Sequence, residues 1–221
     1  MARETSDQKE FVSILASDGS LRLSVPEGTE GAIKREYKVT DEKTKEEVTK
    51  TKNEIVFKAL SGKITNVDFT QTKFGNLLQL TITDEEGDLT ISTNASNNFG
   101  TDLMKKLPAI DFSKECRVAP FSFTGENGKN VRGVSISEGL EQDKEAPKVM
   151  NFFYDAEKKK DINGFPESEF DAIMKLPEGK RKNKWTAYFG KIEDFLVDYT
   201  EKNILPKFEK TEEEKKKDGD F

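Results

Sequence analysis

The spacing of apolar residues along the chain changes character several times. After a polar lead, "SLRLSV" and "AIKREYKV" alternate apolar and polar side chains, the period of two of a half-buried strand, around a turn-forming cluster from Pro26 to Gly31. The segment "TDEKTKEEVTKTKN" that follows offers only Val48 for burial, so 41–53 is expected to be an exposed or mobile loop. Strand signals then come in quick succession. "EIVFKALSGKITNVDFTQ" holds two strands with a bend at Gly62, and "KFG" turns into "NLLQLTITD". There Leu78, Leu80 and Ile82 share one face while Gln79, Thr81 and Thr83 share the other. "EEGD" leads into "LTISTN", after which "ASNNFGTDLMKKLPAID" shifts to helical spacing through Phe99, Leu103 and Leu107 and is stopped by Pro108. "ECRVAPFSF" and "VRGVSISEG" close the series, joined by the turn "TGENGKN".

Three strands, a short helix and two strands are the order of a five-stranded Greek-key barrel of the oligonucleotide-binding (OB) type, and other small barrels or sandwiches share it. The expected fold class is therefore an all-β barrel core of the OB-fold kind, with additional N-terminal strands and C-terminal helices. Residues 1–140 form the barrel unit with its N-terminal strands and the flexible loop at 41–53. Residues 141–208 form an extension packed on the barrel, where Ile192, Phe195, Leu196 and Tyr199 make one apolar helical stripe ended by Pro206. Residues 209–221 are expected to form a disordered interaction tail.

Composition narrows the chemistry. The 221 residues are 33% hydrophobic and 35% charged, with 16 Phe, which suits a globular core carrying polar loops. The net charge of -6, from 36 basic and 42 acidic residues, supplies no general attraction for nucleic acid, so any such surface has to be a local patch. Cys116 is the only cysteine and there is no histidine, which excludes an internal disulfide, imidazole zinc sites and His-based triads. The N-terminal "MARETSDQKE" lacks the apolar core of a signal peptide and no stretch approaches a bilayer span, so the expectation is an intracellular protein with no membrane partner.

No cofactor and no enzyme activity are implied. Asp84, Glu85 and Asp88 could serve a metal-dependent hydrolase, but they belong to a hairpin turn with no second set to meet them. "GENGK" resembles a phosphate loop only loosely, without a hydroxyl residue after the lysine or a following helix.

Nucleic-acid binding has more candidates. Between Lys175 and Lys191, six basic residues (Lys175, Lys180, Arg181, Lys182, Lys184, Lys191) face one acid, Glu178, a local +5, with Trp185, Tyr188 and Phe189 among them. Cations neutralise phosphate and flat rings stack on unpaired bases; the competing reading is a solvated lysine segment whose rings belong to the core. Arg117, Phe121 and Phe123 share strand parity, on either a binding groove or the core face. Phe74 and Phe99 are the rings expected to lie exposed in loops, and Lys63, Lys73, Lys129 and Arg132 are the cations in or near the strands.

The stretches "LSGKITNVDFTQTKFGNLLQLTITDEEGDLTISTN" and "FGTDLMKKLPAIDFSKECRVAPFSF", taken with the terminal "DGDF", resemble the bacteriophage single-stranded DNA-binding proteins with an OB fold. The resemblance covers about Ile55 to Glu138 and touches the tail. It implies sequence-independent binding and protection of single-stranded DNA during phage DNA replication, recombination and repair in the host cytoplasm. It also implies that Asp218, Asp220 and Phe221 dock phage or host polymerase, helicase, primase or recombinase, with the protein a monomer or a homodimer. Lys215 to Lys217 depart from the purely acidic tail of that family: from Glu209 to Phe221, 6 acids minus 4 bases leave -2, which weakens any competition with DNA. RNA is also compatible with stacking and phosphate contacts. The alternative from a different class is a phage accessory or structural protein-interaction module that uses a small barrel as scaffold without binding nucleic acid.

Overall fold

Period-two burial turns directly into strands in the computed structural model, which describes residues 10–41, 44–126, 128–139 and 146–209. β1 (Glu10–Ile14), β2 (Leu21–Val25), β3 (Ile33–Thr40) and β4 (Glu47–Phe57) precede β5 (Leu60–Thr72), β6 (Gly75–Asp84) and β7 (Gly87–Asn94). Helix α1 (Asn98–Lys106) separates these from β8 (Glu115–Thr124) and β9 (Asn130–Glu138). A two-residue pair, β10 (Tyr154–Asp155) and β11 (Lys160–Asp161), then precedes α2 (Phe170–Met174) and α3 (Glu178–Asn203). β1 to β9 make one curled half-barrel sheet in the order β3-β4-β2-β1-β7-β6-β5-β8-β9.

The inner face is the apolar one. Register places Val67 opposite Leu80, Phe69 opposite Leu78, Leu80 opposite Ile91 and Val12 opposite both Ile91 and Leu23, so one aliphatic layer runs across the strands. A bulge between Ile64 and Asn66 shifts the β5 register by one residue, and this keeps Ile64 and Val67 on the same inner side. At Gly62 (φ +152°) a Cβ would lie 2.5 Å from the Thr83 carbonyl oxygen, so the bend read there needs glycine.

Helix α1 starts at Asn97, whose side chain accepts from the Gly100 N–H, and buries Phe99, Leu103 and Met104. It also covers the β9 edge. Asp102 Oδ2 accepts from the Val134 N–H (2.6 Å) and Lys106 Nζ donates to the Val134 carbonyl, while Val149 N–H bonds to Ile136 O at 2.8 Å. Helix α3 packs on α1, burying Tyr188, Ile192, Leu196 and Thr200. Phe153, fully buried, meets Phe152, Phe165, Phe195 and Tyr199 there with ring centroids 4.9–5.6 Å apart.

The chain is thus mostly β with C-terminal helices, as expected, but its hydrogen bonding does not describe a closed five-stranded barrel: β1 pairs in parallel with the outer edge of β7, and β9 pairs only with β8 among the strands. The expected loop at 41–53 is a second correction. From Glu47 onward it is strand, paired from Thr40↔Glu47 to Ile33↔Glu54 with β3. Its polarity reflects a two-stranded ribbon with solvent on both sides, which needs no apolar alternation.

Candidate nucleic-acid interface

The strand register defines an outer face opposite the core. On β8, Cys116, Val118 and Pro120 are buried, so Arg117, Phe121 and Phe123 lie on the side of the strand opposite those core residues, Arg117 half-buried with its Nε out of contact with solvent. Phe121 and Phe123 form a tilted ring pair with centroids 5.9 Å apart, Phe123 being 55% exposed. Lys63, opposite Thr83 and Glu115, is exposed on the same face. Arg132 lies on the core-side parity of β9, at its rim, with Nε 3.4 Å from Ser122 Oγ. Lys129 is exposed in the β8–β9 turn.

The β5–β6 turn carries the most exposed large apolar side chain among those described. Phe74 is 76% exposed, with Lys73 Nζ 5.0 Å from its ring centroid. The turn is held by Thr72 Oγ1, which donates to Gly75 O (2.8 Å) and accepts from the Phe74 N–H (3.1 Å), and by Asn94 Nδ2, which donates to Phe74 O. A ring kept in water on a braced turn beside a cation has a face open to stacking.

Two other expectations fail. Phe99 is 3% exposed, because Asn97 caps a helix that Asn98 begins, so no loop forms there and the ring fills the core. The basic and aromatic residues of 175–191 do not interleave in space. On α3, Lys180, Lys184 and Lys191 fall about a quarter turn or more from Trp185 and Phe189. Arg181 Nε bonds to Leu176 O (2.8 Å), Lys191 Nζ to Glu169 Oε1 (2.6 Å), and Tyr188 is buried. Lys182 alone of these lysines lies near the ring side. Trp185, half-buried, stacks on Phe189 (5.6 Å, 20°) and touches Phe170 (5.4 Å), so the outer part of this cluster is apolar. The tail residues Asp218, Asp220 and Phe221 lie outside the described residues.

Sequence reasoning missed a charged cluster on the outer face of β2, β4 and β3. Glu54, fully buried, accepts a bidentate pair from Arg35 (Nε–Oε2 2.7 Å, Nη2–Oε1 2.9 Å) and an ion pair from Lys52 (2.8 Å), with Arg22 Nη1 at 3.8 Å. The Arg35 hydrogen bonds, joined by Lys52, hold its carboxyl down at about 2. Tyr37 lies beside it, 5.3 Å from the Arg35 guanidinium carbon and 5.8 Å from Lys52 Nζ. The signal was present: Arg35 and Tyr37 share parity, as do Lys50, Lys52 and Glu54, once 47–57 is read as the return strand of a hairpin.

None of this is addressed by comparison. No family model, no curated protein and no solved structure matches the chain. The site therefore rests on geometry alone. Asp84, Glu86 and Asp88 rim a cleft of about 360 Å³ with an aliphatic floor including Leu23, Ile55 and Leu60, a lining that repels phosphate. Among the described residues no group of three or more acidic or cysteine side chains could hold a metal ion, and no helix is long and apolar enough to cross a membrane.

Proposed function

We propose that the protein binds single-stranded DNA without sequence preference, through phosphate neutralisation and base stacking on the outer face of the curled sheet. The observation that carries this reading is the Lys73–Phe74 pair: a phenylalanine left 76% in water on a braced turn, under a cation. The connectivity of β5 to β9 supports an OB-type barrel. β5 pairs with both β6 and β8, α1 joins β7 to β8, and β8 returns to β9. In that architecture the β5–β6 and β8–β9 turns correspond to the loops, and β6–β7 to the face, that take oligonucleotides. Phe74 and Lys73 occupy the first turn, Phe123 and Lys129 flank the second, and the β6–β7 face offers Gln79 and Ser92, while Thr81 and Thr90 are buried against each other (Oγ1–Oγ1 3.0 Å). A protein of this kind protects single strands in phage replication, recombination and repair in the host cytoplasm, with Asp218, Asp220 and Phe221 recruiting polymerase, helicase, primase or recombinase.

One observation favours the protein-interaction reading instead. Phe170 (54% exposed), Met174 (44%) and Phe189 (58%) form an apolar patch on α2 and α3 around Trp185. The two readings separate on Phe74→Ala and Phe189→Ala in a labelled oligo-dT titration. On the DNA reading the first weakens binding about 5-fold or more, the loss of one stacked base, and the second leaves it unchanged. Wild-type protein that fails to bind oligo-dT at low salt rejects the DNA reading.

A further inference from the structure

The outer face does not end at β7. Cross-strand partners share a face, and the register carries it from Gln79 through Ser92, Ser13 and Arg22 to Val56. A second row runs from Thr81 through Thr90, Phe11, Ser24 and Glu54 to Ile33. Beyond these rows, Lys52 pairs with Arg35 and Lys50 with Tyr37. These positions hold four cations (Arg22, Arg35, Lys50, Lys52) and one carboxylate, Glu54; Asp18, from the β1–β2 turn, takes Arg22 at 3.1 Å. The remainder of the two rows is hydroxyl, amide and apolar side chain, with Thr81 and Thr90 buried; the exposed Asp68, opposite Gln79, lies at the β5 end of the face, away from the cations of β2, β4 and β3.

A carboxylate that serves only to neutralise needs one partner. Here Glu54 binds Arg35 through both oxygens and still draws in Lys52, so the cations outnumber the acids, and Arg35 and Lys52 carry more N–H groups than these bonds to Glu54 use. The half-exposed Tyr37 ring lies beside two of them. A polyanion with flat bases complements that combination of fixed positive charge and an available ring.

We propose that the β2–β4–β3 face is a second contact site for single-stranded nucleic acid. In it Arg35, Lys50 and Lys52 contact backbone phosphates, Tyr37 stacks on a base, and Glu54 is the positioning residue that aims Arg35. The inference rests on the single-strand reading above and extends its path from the barrel face onto the ribbon.

The test uses the full chain and fluorescein-labelled oligo-dT across a salt series. Lys50→Gln/Lys52→Gln, which leaves Glu54 its Arg35 partner, lowers the slope of log affinity against log salt by about 1.4, two contacts at about 0.7 each. Tyr37→Ala weakens binding about 5-fold or more, and Tyr37→Phe restores it, since stacking needs the ring and not the hydroxyl. With wild-type protein, photocrosslinking to 5-iododeoxyuridine-substituted single strands gives an adduct on the Tyr37 peptide. Wild-type binding with an unchanged slope in the lysine variant, and adducts confined to the Phe74 and Phe123 peptides, overturns the second site and leaves the proposed function standing. Absence of wild-type binding at low salt overturns both.

Discussion

The two ends of the nine-stranded sheet are held by different forces. At the β5–β9 end, aliphatic side chains face α1, α3 packs over α1, and the last edge is covered by Asp102 and Lys106. At the β3–β4 end the ribbon stands in solvent, with Ile33 48% and Val48 40% exposed, and the main buried feature is a carboxylate among three cations. Apolar packing is indifferent to pH and resists salt, whereas the ribbon depends on one ionised group. The rings differ too: at the packed end Phe99 and Phe153 are core while Phe74 and Phe123 stand in water, and in the ribbon Tyr37 lies half-buried beside the charged Arg35 and Lys52.

The largest break in this contrast comes from the packed end. Phe153→Ala, at the centre of four ring contacts, removes about 3–5 kcal/mol from global stability in urea unfolding. Next comes acid. Glu54 titrates near 2 in the folded chain against an ordinary 4.5, so its contribution is complete above pH 4.5 and is lost as pH falls toward 2. About 3 kcal/mol is at stake, and the expected outcome in hydrogen exchange is that β3 and β4 lose protection across that window before β5 to β9 do. Gly62→Ala costs about 1–3 kcal/mol by forcing a Cβ against the Thr83 carbonyl, again at the packed end. Phe74→Ala is the smallest, within about 0.5 kcal/mol of wild type by the same unfolding measurement, because the ring is already in water.

What the sequence disclosed follows the same division. Where one strand face is buried, alternation shows it: Leu78, Leu80 and Ile82 read correctly as an inward row. The ribbon was illegible because both its faces are wet, so 47–53 carries no apolar period and passes for a loop. Pairing was illegible for another reason: nothing in "EFVSI" states that β1 will lie parallel to β7 and occupy the edge that a closed barrel would use. The candidate site divided likewise. Phe74 was legible from its turn, Phe99 was misplaced because a capping asparagine looks like a loop asparagine, and the α3 lysines only appeared to surround Trp185 because neighbours in sequence fan out around a helix.

The central claim is that the outer face of the sheet binds single strands. The most direct measurement is fluorescence anisotropy of labelled oligo-dT with wild-type protein at low and moderate salt, with duplex DNA as competitor. The account predicts saturable binding that weakens steeply with salt and that duplex does not displace. Absence of binding at low salt, or displacement by duplex at equal phosphate concentration, would contradict it and return the exposed rings of the sheet and of α2–α3 to a protein-binding role.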